Sequence, residues 1–221
     1  KRFRFDTVIE ACLKGFVMHP ENAMTVTRTT EAFDPDPERY RRSQLCALAD
    51  LALDRFKTLR HRHQLAIYWD REGDPDRIID FADELDASAE RRGHGRFRFG
   101  DAVMLDVQFR LAGQGLSLER AARVARGANN ASARLFNNAY AWVEFARSPG
   151  LFLVQRTEEG DGSPVDTGAW MGSLDHVRDF LAQAESPLAM ATVVNLSLSF
   201  DRVLARARAH GIKTPFDEDE A

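Results

Sequence analysis

The 221-residue sequence predicts an α+β fold that is mainly helical with small β elements. Two observations support this prediction. Apolar residues recur every three or four positions over most of the chain, which is the spacing of amphipathic helices. Short β-prone stretches occur in a few places, at residues 24–27, 95–99, 151–155 and 190–198. We therefore expect helices to build the framework and strands to be local additions to it.

Residues 1–43 are a predicted N-terminal extension. Helical periodicity over residues 8–17 is followed by the β-prone stretch 24–27. Pro35 and Pro37 then disfavour helix at the residues before them, so residues 34–37 are predicted to be a linker or rigid turn.

Residues 48–65 predict two helices joined by a short turn. The small Ala49 lies where the two helices would cross, and Phe56, Leu59 and Leu65 give the second helix an apolar edge. The rest of that helix is basic or hydrogen-bonding. Such a surface suits the major groove of DNA, where Arg and Lys reach phosphates and guanine edges. An ordinary amphipathic surface helix is the alternative for this segment.

An insert at residues 70–92, with a helical pattern of its own, separates these helices from a short alternating segment. In that segment we expect Phe97 and Phe99 on one face of a strand, and Arg96 and Arg98 on the other. The strand would form a wing beside the helix pair.

Two further helices are predicted after the wing. Asp101 is the expected N-cap of the first, and Gly113 and Gly115 are expected to end it. Ser117 is the expected N-cap of the second, with Glu119 behind it. The order along the chain is therefore helix, turn, basic helix, insert, wing, helix, helix.

Four short motifs occur in this order: Thr58-Leu59-Arg60-His61, Arg96-Phe97, Asp101 with Leu105, and Gly115-Leu116-Ser117-Leu118. In order and spacing they resemble the MerR-type DNA-binding domain over roughly residues 44–128. That family usually has glycine and an apolar residue in its turn, where this chain has Leu53 and Asp54. We therefore predict that Asp54 is the N-cap of the basic helix.

The resemblance implies a winged helix-turn-helix domain at residues 44–128, within a homodimeric and sequence-specific regulator of transcription. Double-stranded DNA is the implied partner, and RNA polymerase is a further one at a promoter. The implied DNA-binding residues are Arg55, Lys57, Thr58, Arg60, His61, Arg62 and His63 on the second helix, and Arg96 and Arg98 in the wing.

The distribution of charge agrees with a nucleic-acid partner for one region alone. The formal net charge of −4 argues against such a partner for the chain as a whole. Residues 39–71, however, hold 8 Lys or Arg against 3 acids, whereas residues 157–221 hold 12 acids against 5 Lys or Arg. Only the middle of the chain is therefore suited to phosphates. A basic surface that is merely solvated is the alternative.

Residues 129–221 predict a helix followed by a small α/β unit with an acidic tail. A helix over residues 131–147 is expected to end at Ser148-Pro149-Gly150. A strand at 151–155, a loop at 158–172, a helix at 174–184, a strand at 190–198 and a helix at 200–210 follow. Arg202, Arg206 and Arg208 are expected to face outward from the last helix. Two strands separated by a helix favour a dimerisation or sensor module over an enzyme domain.

The sequence offers no catalytic or metal-binding constellation, and we expect no cofactor. The histidines lack Cys or carboxylate partners at ligand spacing, and His61 and His63 lie on different sides of one helix. Cys12 and Cys46 stand outside any paired motif, so we expect both to be small buried hydrophobes in a reducing compartment.

Location and two alternative functions complete the sequence-based predictions. No apolar run approaches twenty residues and the first residues lack a signal-peptide pattern, so we expect a cytoplasmic protein without membrane contact. One alternative is a protein-interaction or phage-type adaptor that retains the fold without binding DNA. The other is a small-molecule-binding protein with a site lined by Trp142, Phe152 and Trp170, for which aromatic core packing is the competing interpretation.

Overall fold

The computed structural model describes residues 40–62, 64–67, 97–136, 140–159, 164–184 and 187–217, and these belong to one unit of the chain. Within these ranges the protein is mainly helical with one small sheet, as the sequence predicts. The predictions for residues 1–39, for the insert at 70–92 and for the acidic tail at 218–221 lie outside them.

The elements are α1 (Arg42–Leu48), α2 (Leu53–His61), α3 (Phe99–Gly113), α4 (Leu118–Phe136), α5 (Trp142–Ala146), β1 (Phe152–Glu159), β2 (Pro164–Gly172), α6 (Leu174–Ala182), β3 (Leu188–Asn195) and α7 (Leu196–Ala209).

The turn between α1 and α2 is a Schellman motif built on an aspartate. The Leu51 N–H donates to the Cys46 carbonyl at 2.9 Å, and the Asp50 N–H donates to the Ala47 carbonyl at 3.3 Å. Asp50 has φ 53°, a left-handed conformation that Asp adopts more readily than most side chains. The chain therefore reverses at once, and Leu51 returns to the core, where it is buried.

The prediction that Asp54 is the N-cap of α2 is wrong. The N-cap is Ala52, whose backbone is extended, and Asp54 lies in the first turn of the helix. The early reversal at Asp50 explains the difference, because it lets helical geometry begin at Leu53. A carboxylate in the first turn still favours this helix end through the helix dipole.

The predicted wing strand is also wrong from Phe99 onward. Phe97 forms an isolated antiparallel bridge with Tyr40, in which each N–H donates to the other carbonyl at 2.9 and 3.0 Å. Arg98 is then the N-cap of α3, and Phe99 is already helical. Phe97 is buried and meets the Phe56 ring edge to face at 6.0 Å.

Asp101 explains why α3 begins so early. Its carboxylate, at the third helical position, accepts a hydrogen bond of 2.8 Å from the Arg98 N–H. The bond satisfies a backbone donor that helix formation leaves without a partner, so the helix can start two residues before Asp101. The prediction that Asp101 is itself the N-cap is therefore wrong. A reciprocal bond of this kind is common for Glu or Gln at the same position.

The junction between α3 and α4 confirms the sequence-based prediction. Gly115 adopts φ 101°, and the Leu116 N–H donates to the Leu111 carbonyl at 3.2 Å, which closes α3. The Ser117 hydroxyl then accepts from the Arg120 N–H at 3.2 Å and caps α4.

Helix α3 lies at the centre of the helical layer. Every residue from Phe99 to Gln108 is buried, so the helix has no solvent face over this length. It packs against α1, α4 and α7, and Phe99 contacts the rings of Phe200 and Phe216. The buried polar side chains of α3 must therefore find protein partners.

Gln108 of α3 joins three segments of the backbone. Its side-chain oxygen accepts from the Ala66 N–H at 2.8 Å, and its amide nitrogen donates to the carbonyls of Gln64 and Leu118. The side chain is fully buried. It therefore holds the segment that leaves α2 against the first residue of α4.

The buried carboxylate of Asp106 on α3 forms ion pairs with two arginines of α7. Arg206 Nη1 lies 2.8 Å from the carboxylate and also donates to the Leu48 carbonyl at the end of α1, at 3.2 Å. Arg202 approaches the same oxygen at 3.5 Å. The prediction that Arg206 faces outward is therefore wrong, because a buried carboxylate opposite α7 requires a cationic partner.

The C-terminal residues form a three-stranded antiparallel sheet in the order β2-β1-β3. The prediction of a loop over residues 158–172 is wrong, since β2 occupies its second half. Cross-strand pairs such as Val154 with Trp170 form the hairpin. Helix α4 packs on one face of the sheet, where a Cβ on Gly127 would lie 3.3 Å from that of Ala169. Helix α6 packs on the other face, against β1 and β2.

The helices after α3 match their predicted boundaries to different degrees. The predicted helix over residues 131–147 is divided between α4, which continues to Phe136, and α5, which begins at Trp142. Helix α6 matches its prediction to within two residues. Helix α7 begins four residues before Phe200, because the Asn195 side chain accepts from the Leu198 N–H at 2.9 Å and ends β3.

Cys46 is buried in α1, as predicted, and burial raises the pKa of its thiol. Cys12 lies outside the described residues. Among the helices of the described ranges, none is long and apolar enough to cross a membrane.

We expect Gln108→Ala to lower the free energy of unfolding by about 3 kcal/mol or more, because three backbone groups lose their partner. Urea unfolding followed by circular dichroism measures the decrease. Gln114→Ala is the control, since Gln114 is exposed at the end of α3; its effect should stay within about 0.5 kcal/mol. Equal decreases in the two variants would contradict the joining role of Gln108.

A second pair of variants tests how strongly burial affects the contribution of an ion pair to the free energy of unfolding. Arg206→Met should cost about 3 kcal/mol or more, because it leaves the buried Asp106 carboxylate without its close partner. Arg202→Met should cost under about 1 kcal/mol, since its side chain is 48% exposed and lies farther from the carboxylate. The same urea titration compares them, and a larger cost at Arg202 would reverse this assignment.

Candidate nucleic-acid interface

Helix α2 has one buried and one exposed side. Phe56 and Leu59 are buried against the core. On the opposite side, four exposed residues at helical spacing form what we term the outer ridge, namely Asp54, Lys57, Thr58 and His61. The core contacts of α2 fix which side chains the helix presents to a partner.

The outer ridge is internally connected but weakly held. Lys57 Nζ lies 3.1 Å from an Asp54 carboxylate oxygen, with the two side chains 55% and 95% exposed. The Thr58 hydroxyl donates to the Asp54 carbonyl at 2.9 Å. An ion pair so exposed is worth little in water, so Lys57 can exchange its carboxylate partner for another anion.

The basic residues beside the ridge differ in their surroundings. Arg55 is exposed, and its guanidinium lies 5.2 Å from the centre of the Phe109 ring on α3. Arg62 is exposed at the C-cap of α2. Arg60 is half-buried, and burial together with the nearby positive charge of Arg42 lowers its pKa.

Arg42 is a candidate that the sequence reasoning did not select. It begins α1, and its charge acts on Arg60 of α2. Its Nε is buried and makes no hydrogen bond with any of the described residues. Sequence spacing held no signal for this pair, because the residues are on separate helices.

The prediction that Arg98 faces outward from a wing strand is wrong. Arg98 precedes α3, and its guanidinium lies 4.5 Å from the centre of the Tyr140 ring. The Tyr140 hydroxyl in turn donates to the Asp101 carboxylate at 3.2 Å. This arrangement gives Arg98 a part in holding the start of α3. His63 and Arg96 of the predicted set lie outside the described residues.

Both tryptophans of the small-molecule hypothesis have protein partners. Trp142 is fully buried, and its Nε1 donates to the Asn129 side-chain oxygen at 2.7 Å. Trp170 stacks on Phe180 of α6 with ring centres 6.1 Å apart. Core packing therefore accounts for Trp142, and ring stacking against α6 accounts for the half-buried Trp170.

Within the described part of the chain, no group of three or more His, Cys, Asp or Glu could hold a metal ion. The Ser173 hydroxyl and His176 Nδ1 lie 2.9 Å apart at the exposed start of α6. The two residues are three positions apart in the first turn of one helix, so this is a local contact between two side chains.

The chain matches no protein-family model and has no significant match among curated protein sequences.

Removing the Arg98 side chain tests whether it stabilises the start of α3. We expect Arg98→Ala to lower the free energy of unfolding by about 1 kcal/mol, because it removes a partly desolvated cation–π interaction. Arg62→Ala, at an exposed position, should change it by less than about 0.5 kcal/mol. Chemical denaturation of both variants makes the comparison. An unchanged stability in Arg98→Ala would contradict this stabilising role.

Proposed function

We propose that this protein is a homodimeric, MerR-like regulator of transcription that binds DNA through a winged helix-turn-helix domain. In this proposal α1 and α2 are the helix-turn-helix, and α2 enters the major groove. The Tyr40–Phe97 bridge is the base of the wing, and α3 with α4 is the supporting helix pair. A cytoplasmic location and contact with RNA polymerase belong to the same proposal.

The observation that carries the proposal is the outer ridge of α2 with its basic neighbours. Phe56 and Leu59 anchor the helix, so its exposed side is presented in one fixed orientation. That side and its margins include five basic residues, with Asp54 as the one acid in α2. Arg and Lys on a helix that fits the groove can reach phosphates and guanine edges together.

The proposed contacts follow from exposure. Lys57, Thr58 and His61 face outward from α2 and are suited to base edges. Arg62 at the helix end is suited to the flanking phosphates. The half-buried Arg60 is suited to a phosphate, because a guanidinium binds phosphate through paired N–H donors.

A dimer is part of the proposal for a geometric reason. The nine residues of α2 span about 14 Å, which covers only a few base pairs. Helix-turn-helix proteins gain specificity by pairing two heads on half-sites one helical turn apart.

The test is the salt dependence of binding to a mixed-sequence DNA duplex, measured by fluorescence anisotropy. If two or more phosphates are neutralised, affinity should fall by about tenfold or more for a fourfold rise in salt. Lys57→Ala combined with Arg62→Ala should weaken binding. It should also reduce the slope of log affinity against log salt by about one for each phosphate that is no longer neutralised.

The control removes the same charge elsewhere. Arg178→Ala combined with Lys213→Ala also deletes two exposed cations, on α6 and after α7, and should leave DNA affinity unchanged. A flat salt response, or equal weakening in both double variants, would contradict the proposal and favour the adaptor function. Selection of duplexes from a random pool then reports whether the binding is sequence-specific.

A further inference from the structure

Asp54 is the one acidic residue of α2, and it lies on the exposed side of the helix. Its side chain is 95% exposed, so the carboxylate is open to a partner. Because phosphates repel a carboxylate, this residue weakens the binding of α2 to DNA of any sequence. A residue that lowers affinity for every sequence can still improve discrimination between sequences.

The Asp54 carboxylate and the Lys57 ammonium form a donor–acceptor pair on the outer ridge. Lys57 Nζ lies 3.1 Å from Asp54 Oδ1, and the two residues are three positions apart on α2. An ammonium has three N–H donors, whereas an ionised carboxylate has acceptors only. The bond between them therefore leaves two donors on Lys57 and further acceptor capacity on Asp54.

The ion pair lies at the end of α2 where base contacts are expected. In helix-turn-helix proteins, the N-terminal residues of the second helix contact base edges in the major groove. Asp54 and Lys57 are the second and fifth residues of α2. Thr58 lies beside them, but its hydroxyl already donates to the Asp54 carbonyl at 2.9 Å. On the outer ridge, the ion pair is therefore the part best placed to meet a base.

A G·C base pair presents the complementary groups. In the major groove, guanine has the acceptors N7 and O6, and cytosine has the N4 amino donor next to O6. Guanine O6 and cytosine N4 are joined by an N–H···O hydrogen bond, so they lie about 2.9 Å apart. The spacing of acceptor and donor in the base pair thus matches the 3.1 Å between Lys57 Nζ and Asp54 Oδ1.

We propose that Asp54 and Lys57 together read one G·C base pair, in which Lys57 donates to guanine O6 and N7 and Asp54 accepts from cytosine N4. The inference rests on the proposed function and names a base pair that the same site selects.

The groups that flank the central donor and acceptor distinguish G·C from A·T. An A·T pair also has a donor, adenine N6, next to an acceptor, thymine O4. Beyond adenine N6, however, lies the acceptor N7, which repels the Asp54 carboxylate, whereas cytosine has no acceptor beyond N4. Beyond thymine O4 lies a methyl group, which gives Lys57 no second acceptor. The ion pair therefore favours G·C.

Selection from a pool of random-sequence duplexes by the full chain tests this inference. The wild-type chain should enrich duplexes that have G·C at one position of each half-site. Asp54→Asn should change that pair to T·A, with adenine in place of cytosine, because an Asn amide binds adenine N6 and N7. The other enriched positions should stay the same, and circular dichroism checks that the variant keeps its fold.

Asp175→Asn is the matched control. Asp175 is the second residue of α6, and it forms an ion pair with Arg178 at the same three-residue spacing. The two side chains are 82% and 73% exposed. Because this pair lies outside α2, Asp175→Asn should enrich the same duplexes as the wild-type chain.

Fluorescence anisotropy then measures the size of the preference. The two probes are the enriched duplex and the same duplex with T·A in place of the G·C pair. The wild-type chain should bind the G·C duplex more tightly by about fivefold or more. Asp54→Asn should lose or reverse this preference.

An enriched sequence that is identical for the wild-type chain and Asp54→Asn would overturn the inference, because it would leave Asp54 with a role at the helix terminus alone. An equal change in Asp175→Asn would also overturn it. Salt-dependent binding to the pool without a preferred base pair at this position overturns the inference and leaves DNA binding in place. A chain that does not bind the pool overturns the proposed function and the inference together.

Discussion

The buried amide of Gln108 holds the end of α2 against α3 and α4. Through it the chain that leaves α2, at Gln64 and Ala66, is bonded to the centre of α3 and to the start of α4. Each backbone group left without its partner would cost about 1–3 kcal/mol, against a total stability of about 5–15 kcal/mol for a typical domain. One side chain therefore contributes a large share of what orients the candidate interface.

The basic side chains serve two different purposes in this fold. Arg206 and Arg156 are largely enclosed and paired with the carboxylates of Asp106 and Glu158. Lys57 and Arg62 are exposed on α2. Because an enclosed cation stabilises packing and an exposed one can meet a partner, the count of Lys and Arg in a segment overstates the charge that a partner meets.

The sequence predicted the features that depend on local chemistry. Gly115 and Ser117 mark the junction of α3 and α4, and the periodicity of Phe56 and Leu59 gives the buried side of α2. Features that depend on distant residues were not predictable. The inward direction of Arg206 follows only once the Asp106 carboxylate is placed opposite it. Strand β2 and the residues just before it are rich in Gly and Asp, which is the composition of a loop. The strand gains its conformation from pairing with β1. Within the candidate site, the sequence predicted helix α2. It did not predict that the charge of Arg42 acts on Arg60, because the two residues are on separate helices.

The length of α4 has a mechanical consequence. This helix of 19 residues, about 28 Å long, is bonded to Gln108 at its first residue and touches the sheet at Gly127. A Cβ at Gly127 would lie 3.3 Å from that of Ala169, so a larger residue there would press α4 away from β2. Because a helix is stiff over such a length, α4 forms one continuous packed connection between the sheet and the segment that follows α2.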